Sequence, residues 1–344
     1  DANTTGASNT AVGAAALGAN TTGASNTAVG KSALAANTTA DNNTAVGFEA
    51  LEDNTTGAGL TGLGRMALNA NTTASNNTAV GYKAMIANTT GASNVAVGSN
   101  ALDANTTASN NTAVGHNALT VNTTGSENTA VGQGALDANT TGASNVALGR
   151  NALGANTTAN SNVALGEAAL AVNTTGASNV AVGGNALVAN TTAANNTAVG
   201  YNSLAANTTG TFNTAVGKGA GDAITTSSYN VAIGGNALGA CTTGDGRNVA
   251  VGQGSMVANT TGAYNVGIGE GALAANTTAN RNTSIGAAAL AANTTGANNV
   301  ALGAYALDAS NASSCTALGD SALGANTTGA SNTAVGTESL AANT

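Results

Sequence analysis

Small, apolar and polar residues recur along the chain with a fixed period of seventeen. The unit that begins at Asn26 reads Asn-Thr-Ala-Val-Gly-Lys-Ser-Ala-Leu-Ala-Ala-Asn-Thr-Thr-Ala-Asp-Asn, and Asn43 begins the next copy. We number the unit from Asn26 as position one. Position four is always aliphatic, position five is always glycine and position nine is almost always leucine. Positions three and eight hold only Ala, Gly or Ser. A fixed period this short indicates a solenoid, in which each unit forms a coil that stacks on its neighbours.

The residues of the unit predict β-structure rather than helix. Charged helix-forming residues are almost absent, whereas Thr, Val, Asn and Gly dominate. Two helices with their turns would also need roughly 30 residues. We predict two short strands per coil, one over Asn-Thr-Ala-Val-Gly and one within Ala-Leu-x-Ala-Asn-Thr-Thr, separated by corners. The chain is therefore expected to be an all-β parallel β-solenoid, or β-roll, of about 20 coils, forming one continuous domain over residues 1–344.

The alternation of side chains along a strand predicts which positions face the core. Positions two and four share one face, and position three points the other way. Because position four is always aliphatic, we predict that it lines a narrow core opposite the leucine of position nine. Gly221 stands where that leucine is missing, and Ile224 is expected to fill the space. The predicted core residues are Val29, Leu34, Val46, Leu51, Val80, Val114, Leu119, Val131 and Leu136.

The small residues of positions three and eight then point outward, where solvent would impose no limit on size. We interpret them as a surface on which another chain packs closely, in a homo-oligomer with a homotrimer favoured. One Val and one Leu per coil bury little apolar surface, which also favours an assembly. The alternative is that position three is itself interior. The predicted chain–chain packing residues are Ala28, Ala33, Ala45, Ala50, Ala96 and Ala101.

The asparagines of positions one and twelve are predicted to form ladders. Identical Asn side chains stacked one coil apart can hydrogen-bond through their amides, and Asn also tolerates corner conformations. The residues concerned are Asn26, Asn43, Asn77 and Asn94 at position one, and Asn37, Asn54 and Asn71 at position twelve.

Composition and length irregularities add several expectations. Charged residues make up 6% of the chain, the net charge is -8, and no basic patch suggests a nucleic-acid partner. No apolar run approaches the length of a membrane span. Because the chain opens and stops in mid-repeat, we expect it to be part of a longer protein. The copies from Asn230 and Asn299 are one residue longer and one shorter, and we place both changes in corners, since a slip within a strand would reverse its faces.

The chain offers little candidate chemistry. His116 is the single histidine, and it lies in the variable column of positions six and seven, which is either a solvated corner or a recognition surface. Asp103 and Asp137 share position ten but are two coils apart, roughly 10 Å, too far to bind one calcium ion together. Cys241 and Cys315 are expected to be free. We therefore expect no catalytic, cofactor or metal site.

The pattern Asn-Thr-Ala-Val-Gly-x-x-Ala-Leu, at residues 111–119 and 128–136, resembles the head repeats of trimeric autotransporter adhesins. It is also similar to repeat arrays of phage tail-fibre and bacterial surface fibre proteins. The resemblance implies a left-handed parallel β-roll in a trimer. We expect a structural and adhesive fibre without enzymatic activity, located outside the cell or on a cell or virion surface, whose partners are further copies of itself and a host-cell or matrix receptor.

The alternative is an ice-binding solenoid that uses threonine and asparagine ladders. Threonines such as Thr38 and Thr72 recur once per coil. However, the two threonines of each copy are adjacent and should point to opposite faces, so the usual Thr-x-Thr arrangement is missing.

Overall fold

Twenty short strands, one per coil, make up the regular structure of the described part of the chain. The computed structural model describes residues 2–343. The chain divides into two compact units, Asp1–Thr175 and Gly176–Thr344, each a β-solenoid with ten strands. Residues 2–343 contain strands, turns and bends but no helix, so no helix there is long enough to cross a membrane.

The strands of the first unit are β1 Thr10–Val12, β2 Thr27–Val29, β3 Thr44–Val46, β4 Thr61–Leu63, β5 Thr78–Val80, β6 Val95–Val97, β7 Thr112–Val114, β8 Thr129–Val131, β9 Val146–Leu148 and β10 Val163–Leu165. The strands of the second unit are β11 Val180–Val182, β12 Thr197–Val199, β13 Thr214–Val216, β14 Val231–Ile233, β15 Val249–Val251, β16 Val266–Ile268, β17 Thr283–Ile285, β18 Val300–Leu302, β19 Thr316–Leu318 and β20 Thr333–Val335.

Consecutive strands within each unit pair in parallel and in register. Val131 of β8 pairs with Leu148 of β9, for example, so equivalent positions stand next to each other. The register survives the irregular copies, because Val231 pairs with Val249 and Val300 with Thr316. The extra and the missing residue therefore lie outside the strands, which confirms their predicted location in corners.

Within residues 2–343 the predicted second strand of each coil is absent, and a series of turns takes its place. Positions seven and nine adopt left-handed backbone conformations, with φ of 57° at Ser32 and 50° at Leu34. Between these residues the chain cannot stay extended. Its backbone still bonds to the next coil, since the Leu34 N–H donates to the Ala50 carbonyl at 3.0 Å. Stacking of coils thus continues without strand geometry.

The glycine at position five is required by both conformation and space. Gly81 has a φ of 137°, and a Cβ added there would lie 2.5 Å from the carbonyl oxygen of Gly98 in the next coil. A side chain would therefore clash with backbone that cannot move independently. This explains why no copy replaces the glycine at the end of the strand.

The prediction that position four lines the core is wrong. In every strand after β1 the middle residue is buried, and the two outer residues are half-buried or exposed. Val29, Val46, Val80, Val114 and Val131 are only half-buried, and larger residues in the same column are exposed. The physical reason is the narrow interior. A Cβ added at Gly62, in position three, would already lie 3.2 Å from Leu51 Cγ, so no branched side chain fits there.

The assignment of positions three and eight to chain–chain packing is also wrong. Ala28, Ala33, Ala45, Ala50, Ala96 and Ala101 are all fully buried within their own chain. Serines at these positions show that the two columns face each other, because Ser203 Oγ donates to the Ala215 carbonyl at 3.1 Å. Their small size is thus set by the width of the coil, as the alternative interpretation held.

The leucine of position nine supplies the large apolar side chains of the core. Leu34, Leu51, Leu119 and Leu136 have no exposed surface. At Gly221, where the leucine is missing, a Cβ would lie 3.0 Å from Ile224 Cδ1, and Ile224 is fully buried. The prediction that Ile224 fills this place is confirmed.

Candidate functional site

The outward side of the strands carries an apolar column in each unit. Position two holds Thr or Val and position four holds Val, Leu or Ile, and neither position carries a charge in any copy. Leu63, Leu148 and Leu302 expose 44%, 44% and 41% of their surface. Because the strands pair in register, each of these residues stands beside its equivalent one coil away. We call the side chains of positions two and four the aliphatic face.

The asparagines of positions one and twelve form the polar part of the interior. Asn37 Nδ2 donates to Asn20 Oδ1 at 2.9 Å and to the Ala40 carbonyl at 3.1 Å. Asn54 bonds in the same way to Asn37, and Asn71 to Asn54. At position one the side chain bonds mainly to backbone, since Asn26 Oδ1 accepts from the Asn43 N–H at 2.9 Å. The buried residues of these columns include Asn26, Asn43, Asn77 and Asn94 at position one and Asn37, Asn54 and Asn71 at position twelve.

These ladders satisfy polar groups that the narrow interior would otherwise leave unpaired. Asn26 Nδ2 also donates to the Ala40 carbonyl, so two asparagines of one coil converge on the same corner. A buried polar group without a partner costs about 1–3 kcal/mol, so each bond of the ladders stabilises the two coils that it joins. The role of these asparagines is therefore structural.

Positions six and seven, in the corner after the strand, carry alternating cations and aromatic rings on four successive coils of the first unit. Lys31 Nζ lies 5.5 Å from the centroid of the Phe48 ring, and Arg65 Cζ lies 5.7 Å from the ring centroids of both Phe48 and Tyr82. Lys83 Nζ lies 5.4 Å from the Tyr82 ring. Such exposed cation–π contacts contribute about 0.5–1 kcal/mol each. These contacts between neighbouring coils thus stabilise the corner over the stretch in which they occur.

Other charged residues of the same corner stand apart from these contacts. His116 is exposed. Arg150 and Glu167 form an ion pair between adjacent coils, and both side chains are well exposed. An exposed pair of this kind contributes little to stability. The sequence-predicted variable column is therefore a solvated surface with local side-chain contacts.

A second side-chain column lies at position seventeen of the second unit, in the corner before the strand. Phe212, Tyr229, Arg247, Tyr264 and Arg281 follow one another on five successive coils, and all are exposed. The Phe212 and Tyr229 rings are stacked, with centroids 5.2 Å apart and planes at 4°. Arg247 Cζ lies between two rings, 5.3 Å from the Tyr229 centroid and 5.4 Å from the Tyr264 centroid. We call these five residues the aromatic column.

Sequence reasoning missed the aromatic column, although its signal was present. Apart from Glu127, position seventeen of the other copies holds small residues such as Asn42, Ser93 and Asn110, and three of the seven aromatic residues of the chain fall in this one column. The five residues recur at intervals of 17 or 18 along the chain. The other four aromatic residues lie at positions six and seven, so the sequence favoured that column, and not position seventeen, as a recognition surface.

A small surface cavity adjoins the aromatic column. It has a volume of about 140 Å³ and is lined by Asp245, Ala263, Tyr264, Asn280 and Arg281. Asn280 Oδ1 accepts a hydrogen bond from the Ala263 N–H at 2.7 Å, which fixes the orientation of its amide. Arg247 Nη1 donates to the Tyr264 hydroxyl at 3.1 Å and to the Asp245 carbonyl at 3.3 Å. Of the lining side chains, those of Asn280 and Tyr264 are thus oriented by hydrogen bonds to their neighbours.

The remaining titratable groups are scattered. Burial raises the pKa of Asp103 and Asp137 above the usual value, and the two carboxylates are two coils apart. Within residues 2–343 no three His, Cys, Asp or Glu side chains are grouped so as to hold a metal ion. Cys241 and Cys315 are free and buried, and burial raises the pKa of the Cys241 thiol despite a hydrogen bond with Ser227.

Comparison with known proteins bears on the resemblance to adhesin heads. The described fold has the parallel coils and the short repeat that the resemblance implies. The chain matches no protein-family model and no curated protein sequence.

Proposed function

We propose that this chain is a structural and adhesive fibre segment, without catalytic activity of its own, that assembles with further copies of itself at a cell or virion surface. A homotrimer like those of trimeric autotransporter adhesins is the favoured assembly. The observation that carries the proposal is the aliphatic face. Monomeric proteins rarely expose contiguous apolar patches larger than a few hundred Å², and larger ones mark interaction sites.

The repeat itself indicates what covers this face. An apolar residue stands at position four in every coil, spaced by the distance between paired strands, about 4.8 Å. A partner that packs against each coil in the same way must have the same spacing over the same length. A second copy of this chain, lying parallel to the first, has both. Cyclic symmetry would close such an assembly, and three faces turned towards one axis would cover the apolar column of every chain.

The threonines favour a fibre over the ice-binding alternative. Thr38 Oγ1 donates to the Thr55 carbonyl at 3.2 Å, and the same bond recurs from coil to coil, so the hydroxyls of position thirteen are engaged with backbone. Thr39 and its equivalents at position fourteen form a single exposed rank. A face with two parallel ranks of free threonine hydroxyls is not formed by this pair of columns.

The mass of the protein in solution tests the proposed assembly. We expect the parent to have the mass of several chains, three in the favoured case. The triple variant Val131→Lys, Leu148→Lys, Leu165→Lys places charges on the aliphatic face and should fall to the mass of one chain while keeping its β circular dichroism spectrum.

The matched control is Thr141→Lys, Thr158→Lys, Thr175→Lys, which adds the same charges at exposed positions of the same coils away from the aliphatic face. It should keep the mass of the parent. A parent that remains a single chain at high concentration would refute the assembly. So would an equal loss of mass in the control.

A further inference from the structure

The aromatic column holds its residues in the left-handed backbone conformation, which large side chains adopt only at an energetic cost. Phe212, Tyr229, Arg247, Tyr264 and Arg281 have φ between 56° and 61°. Left-handed backbone is readily adopted by Asn and Gly, and its cost is greater for bulky residues. Elsewhere the same corner uses Asn, Ser or Gly, with Glu127 as the exception. Five large residues in direct succession, in contrast to the single Glu127, point to a use of these side chains beyond the formation of the corner.

Stacking accounts for only part of the column. The Phe212 and Tyr229 rings cover each other, and Arg247 is held between two rings. Arg281 lies at the end of the column and borders the cavity together with Asp245. Neither side chain forms an ion pair within residues 2–343, and both are exposed. The cavity therefore presents a carboxylate and a guanidinium that are both available to a ligand.

The donors and acceptors of the cavity select the class of ligand. Asp245 can only accept hydrogen bonds, and Arg281 can only donate them. An anion would meet the Asp245 carboxylate, and a cation would meet the Arg281 guanidinium. A hydroxyl group both donates and accepts, so neighbouring hydroxyls on one neutral molecule can satisfy both groups. The Asn280 amide nitrogen adds another donor, because the amide oxygen is engaged with Ala263.

The Tyr264 ring adds an apolar surface to this polar set. An aromatic face is electron-rich and attracts polarised C–H groups, such as those on the apolar side of a sugar ring. Small-ligand sites commonly combine an aromatic wall with a few placed polar groups. We propose that the cavity lined by Asp245, Tyr264, Asn280 and Arg281 binds a single neutral saccharide ring, with its hydroxyls on the polar side chains and its C–H groups towards Tyr264.

This site would give the proposed adhesive function a ligand, and its biological role rests on that proposed function. The cavity is open and shallow, so binding of a single ring is weak, with a Kd on the order of 1 mM. Repetition of the site in an assembly of several chains would raise the avidity for a surface that carries many sugars.

Ligand-observed saturation-transfer NMR tests the site. The probes are the methyl glycosides of glucose, galactose, mannose and N-acetylglucosamine, with acetate as the anion and tetramethylammonium as the cation. We expect transfer to at least one glycoside and none to either ion. Tyr264→Ser and Arg281→Asn should each weaken that binding at least tenfold. Both substitutions introduce a side chain, Ser or Asn, that other copies carry at position seventeen, so the variants should fold.

Phe212→Asn is the matched control, because it alters the same column at a residue that does not line the cavity. It should keep the glycoside signal. The proposal is overturned if no glycoside receives saturation from the parent, if the signal persists in Tyr264→Ser and Arg281→Asn, or if acetate or tetramethylammonium binds instead. Masses measured on the same samples separate the two proposals. Loss of glycoside binding in an assembled protein overturns only the saccharide site, and glycoside binding by a single chain overturns only the assembly.

Discussion

At the scale of single residues, three aspartates of position ten, Asp103, Asp137 and Asp222, lie where burial disfavours their charge. Burial raises the pKa of Asp137 and Asp222, although backbone N–H groups beside each carboxylate oppose the effect. A carboxyl with a raised pKa in the folded state favours folding when it is protonated. Its contribution is fully present below the unfolded pKa, near 3.9, and is lost as the pH rises through the folded pKa. These aspartates therefore destabilise the coils at neutral pH.

Replacement of Asp137 by Asn tests this effect. Position ten already accepts Asn at Asn69, so the fold should be kept. We expect Asp137→Asn to have a higher melting temperature than the parent at pH 7, and we expect the difference to shrink at pH 3, where the parent carboxyl is protonated. Asp320→Asn, at an exposed corner, should change the melting temperature little. A difference for Asp137→Asn that does not change with pH would exclude the electrostatic explanation.

At the scale of the strand, the three residues of β7 face two different environments. Ala113 points into the interior and is fully buried, whereas Thr112 and Val114 point outward. The interior is bounded by the leucine of position nine and by the backbone of position eight, which leaves room for a methyl group. The outer positions have no such limit within the chain, and they carry β-branched residues that suit a pleated surface.

We predict opposite responses to added volume on the two faces of β7. Ala113→Val should overpack the coil and lower the free energy of unfolding by roughly 1–3 kcal/mol. Thr112→Val should change it by about 0.5 kcal/mol or less, since neighbouring Val95 shows that this column accepts valine. Chemical denaturation at matched protein concentration measures both. Equal stability of Ala113→Val and the parent would mean that position three is not interior.

At the scale of the whole molecule, each of the two units is a sum of coils that contact their neighbours within the unit in the same way. Repeat proteins of this type tolerate changes in the number of units, because each interface is equivalent to the next. The natural irregularities agree with this, since coils of 18 and 16 residues keep the pairing of their strands.

Removal of one complete coil should therefore be tolerated. Deletion of residues 94–110 joins Ser93 to Asn111 and restores the repeat, so we expect the β spectrum and a cooperative melt to persist. The melting temperature should change by about 2–4 °C or less, as for an effect of 1 kcal/mol. Deletion of β6 alone removes three residues and breaks the register, and it should disrupt the coils around it. If both deletions unfolded the protein equally, the coils would not be interchangeable.

Several features of the fold could be predicted from the sequence. Glycine at position five, asparagine at positions one and twelve and leucine at position nine recur within one chain, and their period requires stacked coils. Leu34 and Asn37 are buried because each stacks on its own equivalent in the next coil, a relation that the period alone implies. The location of the extra and missing residues followed from the same argument, since a slip within a strand would have exchanged its two faces.

Only the tertiary structure decided which face of the strand is inside. A three-residue strand can turn either its middle residue or its two outer residues towards the core. From the sequence, the outer aliphatic residues are the expected core because they are the larger apolar side chains. The left-handed backbone at positions seven and nine brings the opposite wall so close that only Ala, Gly or Ser fits between, and the aliphatic residues are turned outward. The aromatic column depended on tertiary structure for the same reason. The sequence spaces Tyr229, Arg247 and Tyr264 by one coil each, but the conformation of the corner determines that their side chains meet.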